Sequence, residues 1–257
     1  MSNVLAVVVV GPILAAAISG LLGDRPRLRD AIVTGTLAVV TALAGWLLVV
    51  VERDGTIVLQ LGDWAPDLGI VLVADLFASL ILVVALATIF FVELFAVGQR
   101  RTAWSASPSI VSPMLLVLTG GVSLAFLTGD LFTLFVAFEL ILASSYVLLT
   151  HRGGAAQVRA GMTYVVMNLM ASTFFLFGIA FVYVATGTVN MALLAERVPE
   201  LGDGVRLGIG LWFLVVFGTK AALFPLFSWL PDSYPTAPTT ITAVFAGLLT
   251  KIGVYVL

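Results

Sequence analysis

The sequence contains no cysteine, a single histidine and few charged side chains. The absence of cysteine excludes disulfides, thiolate-bound metals and cysteine-ligated iron–sulfur clusters from this chain. One histidine, His151, cannot supply both axial ligands of a bis-histidine haem. The net charge of −2 also lacks the basic excess that is typical of nucleic-acid-binding proteins.

Apolar side chains dominate instead: they make up 61% of the 257 residues, against 10% charged residues. A soluble domain carries about a quarter charged residues. The mean hydropathy of +1.18 indicates more apolar surface than a soluble fold of this length can bury, so part of the solvent must be lipid. We therefore predict an all-α polytopic membrane protein.

Eight segments are long and apolar enough to cross a membrane, for which about 20 residues are needed. Between them, residues 56–61 are predicted to form a short strand outside the bilayer, and residues 190–197 a short surface helix. The third segment is long enough to tilt or protrude. The eight predicted spans cover about residues 4–22, 31–51, 70–97, 110–127, 131–149, 160–185, 206–230 and 238–257.

The loop arginines are divided unequally between the two sides of the membrane. With eight spans, one set of alternate loops carries seven arginines and the other carries three, and the acidic loop residues favour the arginine-poor side. Because arginine-rich loops tend to be cytoplasmic, the N-terminus is predicted to lie outside. The arginine-rich loops contain Arg25, Arg27, Arg29, Arg100, Arg101, Arg152 and Arg159.

Three charged residues lie well inside predicted spans. Lys220 and Lys251 are the only lysines, and Glu139 lies near the middle of the fifth span. A charge at the centre of a membrane helix costs at least about 2.5–3.5 kcal/mol, so such residues face protein or water and mark ion paths. A desolvated lysine releases its proton readily, whereas arginine stays charged. A lysine near a glutamate therefore has the minimum chemistry of a proton relay.

A structural role is the alternative for these charges, because Glu139 and one lysine could form a buried pair that only fixes helix packing. Asp75 and Glu93 lie near opposite ends of the third span. We interpret Asp75 as an interface residue or helix-start acid, and Glu93 as a residue that reaches the lipid headgroups.

Pro225 interrupts the seventh span close to Lys220. Its nitrogen cannot donate to the carbonyl of Ala221, which in lipid then needs another partner. A charge beside a broken helix is typical of a transport site, and an ordinary proline kink is the alternative. Several polar residues could line a hydrated path or bond to their own helix backbones, namely Thr219, Ser228, Ser144, Ser145 and Asn168.

Two stretches of this sequence resemble a known family. Residues 217–238 read FGTKAALFPLFSWLPDSYPTAP, and residues 246–255 read AGLLTKIGVY. They resemble the seventh and eighth helices of the antiporter-like subunits of respiratory complex I and of multisubunit Mrp-type Na+/H+ antiporters. Residues 135–149 and 186–192 are similar to the family's fifth helix and to the turn after its sixth. The aromatic spacing and the DSYPTAP run are most similar to the D subunits of the Mrp antiporters.

The resemblance implies an antiporter-like fold with a broken seventh helix, in a protein of fourteen helices with two inverted five-helix repeats. Residues 1–109 would form helices one to three with a short extracellular hairpin-like loop. Residues 110–257 would form helices four to eight of the first transport repeat. Because the last span ends abruptly at Leu257, we expect the chain to be part of a longer protein.

The resemblance also implies roles for the buried charges: Glu139 and Lys220 would form the central ion pair, and Lys251 would relay protons towards the middle of the membrane. The leading hypothesis is a proton-translocating subunit of a cation/proton antiporter that exports Na+ in exchange for H+, within a hetero-oligomer of the bacterial cell membrane. The alternatives are a proton-pumping subunit of a respiratory NADH dehydrogenase and a non-transporting scaffold. No nucleophile–base set, flavin motif or nucleotide loop favours an enzyme, and no cofactor or metal is implied.

Overall fold

A computed structural model describes residues 2–22, 25–63, 69–99 and 108–257 of the chain. Arg100 and Arg101, two of the arginines on which the predicted orientation depends, lie outside the described residues. Asp67, one of the acidic residues of the arginine-poor side, lies outside them as well.

The described part of the chain is predominantly helical, and its long helices coincide with the predicted spans. Seven of the helices are long and apolar enough to cross a membrane, namely α1 to α6 and α10. The helices are α1 (Asn3–Leu21), α2 (Pro26–Asp54), α3 (Leu76–Gly98), α4 (Pro108–Leu127), α5 (Leu131–Thr150), α6 (Ala155–Thr186), α7 (Met191–Arg197), α8 (Asp203–Lys220), α9 (Trp229–Ser233) and α10 (Thr239–Val256).

A β-hairpin connects α2 to α3. Strand β1 (Ile57–Gln60) pairs antiparallel with β2 (Val71–Ala74), with Ile57 opposite Ala74. The first strand was predicted, but the second was wrongly assigned to the start of the third span. The helix begins only at Leu76, because Asp75 adopts an extended conformation and its carboxylate accepts the N–H of Ala78 at 2.7 Å. Asp75 is therefore the N-cap of α3.

The turn between α4 and α5 connects the hairpin to α7. The N–H of Gly129 donates to the carbonyl of Val71 at 2.8 Å, and its own carbonyl accepts the N–H of Met191 at 2.9 Å. Gly129 is required here because a Cβ at this position would lie 2.8 Å from the side chain of Val73. The predicted surface helix is confirmed as α7, whose N-cap Asn190 accepts the N–H groups of Ala192 and Leu193.

Helix α4 lies at the centre of the bundle. Of its most apolar 18-residue stretch, 78% is buried, against 28% of the corresponding stretch of α2. It packs against α1, α2, α3, α5 and α10. The crossing with α1 is close: a Cβ on Gly120 would lie 2.6 Å from the side chain of Ile13 and 3.0 Å from the carbonyl of Val9. Small residues at such crossings let membrane helices approach, since lipid provides no hydrophobic driving force for their association.

Glu93 also lies in the protein interior, on α3. Only 2% of its surface is exposed. The interpretation that this carboxylate reaches the lipid headgroups is therefore wrong, because the side chain is buried inside the protein.

The predicted break in the seventh span is present, but it begins earlier than the sequence suggested. Helix α8 ends at Lys220, five residues before Pro225, and the chain resumes a helix only at α9. Proline disfavours the α conformation at the preceding residue and its ring clashes with the carbonyl four residues before. That carbonyl belongs to Ala221, the first residue after the end of α8. Ala222 turns the chain with a φ of 54°, and the Phe224–Pro225 peptide bond is cis.

Candidate functional site

Lys220 lies at the end of α8 with its ammonium group inside the protein. The side chain is 5% exposed. Its Nζ donates to the hydroxyl of Ser172 at 2.9 Å and to the carbonyl of Asn168 at 3.3 Å, both on α6. Its position as the last residue of α8 places the cation at the negative end of the helix dipole, which favours the charged form.

The ring of Phe138 on α5 is the third contact of this ammonium group, with its centroid 4.9 Å from Nζ. A cation over an aromatic face is attracted by the ring quadrupole, more strongly when both groups are desolvated. Phe138 itself packs edge-on against Phe175 and is stacked with Phe217. These aromatic contacts hold the ring in place and keep lipid away from Lys220.

Glu139 follows Phe138 on α5 and interacts electrostatically with Lys220. In the part of the chain that the structure describes, no hydrogen-bonded ion pair joins the two side chains, and Lys220 is bonded to α6 instead. One carboxylate oxygen of Glu139, Oε1, is buried without a hydrogen-bond partner. The two side chains therefore interact through space here, and the central ion pair that the resemblance implied stays a prediction.

The broken backbone between α8 and α9 finds its hydrogen bonds within the protein. The carbonyl of Gly218 accepts the N–H of Leu223 at 2.9 Å. The carbonyl of Thr219 accepts the indole N–H of Trp229 at 3.0 Å and the N–H of Ala222 at 3.2 Å. Because an unsatisfied carbonyl in lipid costs several kcal/mol, these bonds are what permit a helix to end beside Lys220 inside the membrane.

Helix α10 makes direct backbone contact with this break. A Cβ built on Gly253 would lie 2.5 Å from the nitrogen of Ala221 and 2.9 Å from the carbonyl carbon of Lys220. Because no side chain fits at this crossing, only a glycine at position 253 lets α10 approach the end of α8 this closely. Gly253 belongs to the eighth-helix motif, but the sequence indicates no role for it, because its neighbour lies 32 positions away along the chain.

Lys251 occupies a different face of α10. Two residues along a helix correspond to a rotation of about 200°, so Lys251 and Gly253 point to nearly opposite sides. Its side chain is exposed, and Nζ donates to the carbonyl of Ala246 and, at 3.4 Å, to the hydroxyl of Thr250. The structure thus leaves Lys251 apart from the hydrogen bonds that hold Lys220.

Two hydroxyl groups close to this cluster were overlooked in the sequence, those of Ser172 and Tyr164. Tyr164 on α6 and Ser145 on α5 are 3% and 0% exposed, and their hydroxyl oxygens lie 2.7 Å apart. A signal was present: residues 164, 168 and 172 repeat every four positions, which places them on one face of a helix. Of the other polar candidates, Thr219, Ser144 and Asn168 bond to their own helices, as Thr219 does to Val215 at 2.8 Å.

This chain is a multi-pass membrane protein in which one lysine is buried at a helix break. Residues 128–257 match the family described as NADH:quinone oxidoreductase/Mrp antiporter, TM, and the chain belongs to that family. It is 46% identical over 211 residues to the D subunit of the Na(+)/H(+) antiporter of Alkalihalophilus pseudofirmus, covering 82% of this chain and 42% of that protein. It is 38% identical over 259 residues to the corresponding Bacillus subtilis protein, covering 99% and 52%.

Two solved structures share the fold. A chain of the Mrp complex from Dietzia sp. DQ12-45-1b is similar with a TM-score of 0.89 and 33% identity, covering 99% of this chain and 47% of that chain. A chain of the membrane-bound sulfane sulfur reductase, an archaeal respiratory membrane complex, has a TM-score of 0.90 and 31% identity, covering 99% and 52%. The chain spans about half the length of the relatives it matches.

Proposed function

We propose that this chain is part of a proton-translocating subunit of a cation/proton antiporter, which exports Na+ in exchange for H+. The observation that carries the proposal is the buried Lys220 ammonium, at a helix break and within electrostatic reach of Glu139. The similarity to the D subunits of Na(+)/H(+) antiporters supports this assignment, and it favours a transporter over an enzyme.

The proposed relay uses the two protonation states of Lys220. When Glu139 is charged, it stabilises the ammonium form. When the charge of Glu139 is neutralised or compensated, burial favours the neutral amine, and the lysine releases its proton. The buried Oε1 of Glu139, which makes no hydrogen bond, leaves this carboxylate free to respond to a proton or cation nearby. Lys251 would receive the proton on the far side of α10 in the complete protein.

The proposal also covers the complex and the membrane in which the chain works. We propose that it works within a hetero-oligomeric Mrp-type complex in a bacterial cell membrane, with its N-terminus outside. Residues 1–109 would support the relay, and residues 110–257 would form most of the first transport repeat. The similarity to a chain of an archaeal respiratory complex favours a second candidate, a proton-pumping subunit of a redox complex. Neighbouring genes for flavin or iron–sulfur subunits would favour that candidate.

Proton flux in everted membrane vesicles tests the proposal, with the full-length protein expressed together with its partner subunits. We expect Lys220→Ala and Glu139→Ala each to abolish Na+-dependent proton flux, measured with a pH-sensitive dye, while the complex still assembles. Lys220→Arg should also abolish flux, because arginine keeps the positive charge but does not release its proton.

A matched control lies on the same helix. Arg206 forms an exposed pair with Asp203 at 2.6 Å, and such pairs contribute little to stability. Arg206→Gln should therefore assemble and transport normally. Normal flux in all three variants at Lys220 and Glu139 would refute the relay and leave these charges a packing role, as in the scaffold alternative.

A further inference from the structure

A small cavity adjoins Lys220 between α5, α6 and α10. Its volume is about 20 Å³, and its lining includes Phe138, Tyr164, Asn168, Lys220, Trp229 and Leu249. A cavity needs about 10–15 Å³ of volume accessible to a water-sized probe to hold one water molecule. The space therefore fits a single water and excludes a larger ligand.

The polar groups that line this cavity suit a water molecule, which needs two to four hydrogen-bond partners. An ammonium group has three N–H donors, and Lys220 uses two of them on Ser172 and Asn168. Among the described residues, the third donor and the side-chain oxygen of Asn168 make no hydrogen bond. Tyr164, whose hydroxyl is paired with that of Ser145, lines the same cavity.

A wider polar pocket opens near the N-terminal end of α6. It has a volume of about 550 Å³, and its lining includes Arg159, Ala160, Thr163 and Asp232. Ala160 lies one helical turn, about 6 Å along the axis, before Tyr164. Tyr164 thus stands on α6 between Ala160, which lines the polar pocket, and Asn168, whose carbonyl accepts a hydrogen bond from Lys220.

We propose that the 20 Å³ cavity holds one water, and that Tyr164 and Ser145 conduct protons through it between the α6 pocket and Lys220. This inference rests on the proposed function of Lys220. In the loading direction, a proton arriving at Ser145 Oγ displaces the hydroxyl proton of Ser145 to Tyr164 Oη. Tyr164 passes its own proton to the water, and the water passes one to the neutral Lys220 Nζ. Each oxygen loses one proton and gains one, so one proton moves and no group remains ionised along the way.

Tyr164→Phe is the direct test, in the same vesicles and with the full-length protein. Phenylalanine keeps the aromatic ring, which lies 5.6 Å from that of Trp229, and removes only the hydroxyl. We expect Na+-dependent proton flux to fall at least tenfold while assembly and thermal stability of the complex stay close to wild type. Tyr183→Phe is the matched control, because Tyr183 is on the same helix, is 51% exposed and should retain full flux.

Leu249→Phe tests the water without removing any polar group. The larger ring would fill the cavity that Leu249 lines and displace the water, so flux should fall as in Tyr164→Phe. If the Tyr164→Phe complex does not assemble, Ser145→Ala tests the same pathway, and we expect the same loss of proton flux. Normal flux in an assembled Tyr164→Phe or Ser145→Ala variant overturns the pathway.

The outcome with Lys220 separates the two proposals. If Lys220→Ala abolishes flux but Tyr164→Phe does not, only the hydroxyl pathway fails. If Lys220→Ala leaves flux normal, the proposed function fails and the pathway fails with it.

Discussion

Replacement of Gly253 by alanine should disturb the Lys220 site without changing any polar group. The new Cβ would lie 2.5 Å from the nitrogen and 2.8 Å from the Cα of Ala221. Carbon contacts are optimal near 3.5–4.0 Å, so α10 and the end of α8 must separate by about 1 Å. Because these contacts are with backbone, a side-chain rotation cannot relieve them.

The size of the effect follows from two opposing contributions. Overpacking in a close-packed interior costs about 1–3 kcal/mol. Alanine in place of glycine within a helix returns roughly 0.5–1 kcal/mol. We therefore expect a net destabilisation of up to about 2.5 kcal/mol. A shift of about 1 Å at Lys220 would also stretch its 2.9 Å hydrogen bond to Ser172 beyond the normal range, so proton flux should fall.

The measurement is thermal denaturation of the purified complex, together with flux in vesicles. Gly247→Ala is the control on the same helix, since its Cβ would meet only the methyl group of Thr88, at 3.3 Å. Gly247→Ala should have nearly wild-type stability and flux. If Gly253→Ala behaves like Gly247→Ala in both assays, the close approach of α10 does not position Lys220, and the reasoning is refuted.

Two further predictions concern the groups that end and begin helices. Asp75→Ala removes the N-cap of α3 and should destabilise the protein by about 0.5–2 kcal/mol without loss of flux, since Asp75 takes no part in the proposed relay. An unchanged melting temperature would contradict the capping role. Trp229→Phe keeps an aromatic ring but removes the N–H that serves the carbonyl of Thr219, so a cost of about 1–3 kcal/mol is expected. Chemical denaturation should detect this cost, and its absence would mean that another donor reaches that carbonyl.

Hydropathy located seven of the eight predicted spans as long apolar helices, and its error at the start of the third span is instructive. Residues 70–74 are as apolar as α3, so their composition resembles that of the helix that follows. Only pairing with β1 makes Val71–Ala74 a strand, and only the cap at Asp75 delays the helix to Leu76. A short apolar run is equally compatible with strand and helix, and the partner decides between them.

Hydropathy also revealed the buried charges. A lysine or glutamate within an apolar segment is conspicuous because its transfer into the membrane costs free energy. Their partners were not visible. Lys220 bonds to Ser172 and Asn168, 48 and 52 positions away, and Tyr164 lines the same cavity as Lys220. Helix α6 carries apolar residues on its lipid face as well as its protein face, so the pattern that reveals a buried face in a soluble helix is weak here.

By itself, the sequence determined that this is a membrane protein and where its long helices lie. It also determined that placing Glu139, Lys220 and Pro225 in lipid costs enough free energy to indicate a specific role for each. The tertiary structure decided that α8 ends at Lys220, that the ammonium group bonds to α6 in place of Glu139, and that Lys251 faces away from the pair. The division has a physical cause. Transfer into lipid is a property of each residue, whereas the contacts between helices depend on close approaches, such as that of Gly253, that only the packed bundle creates.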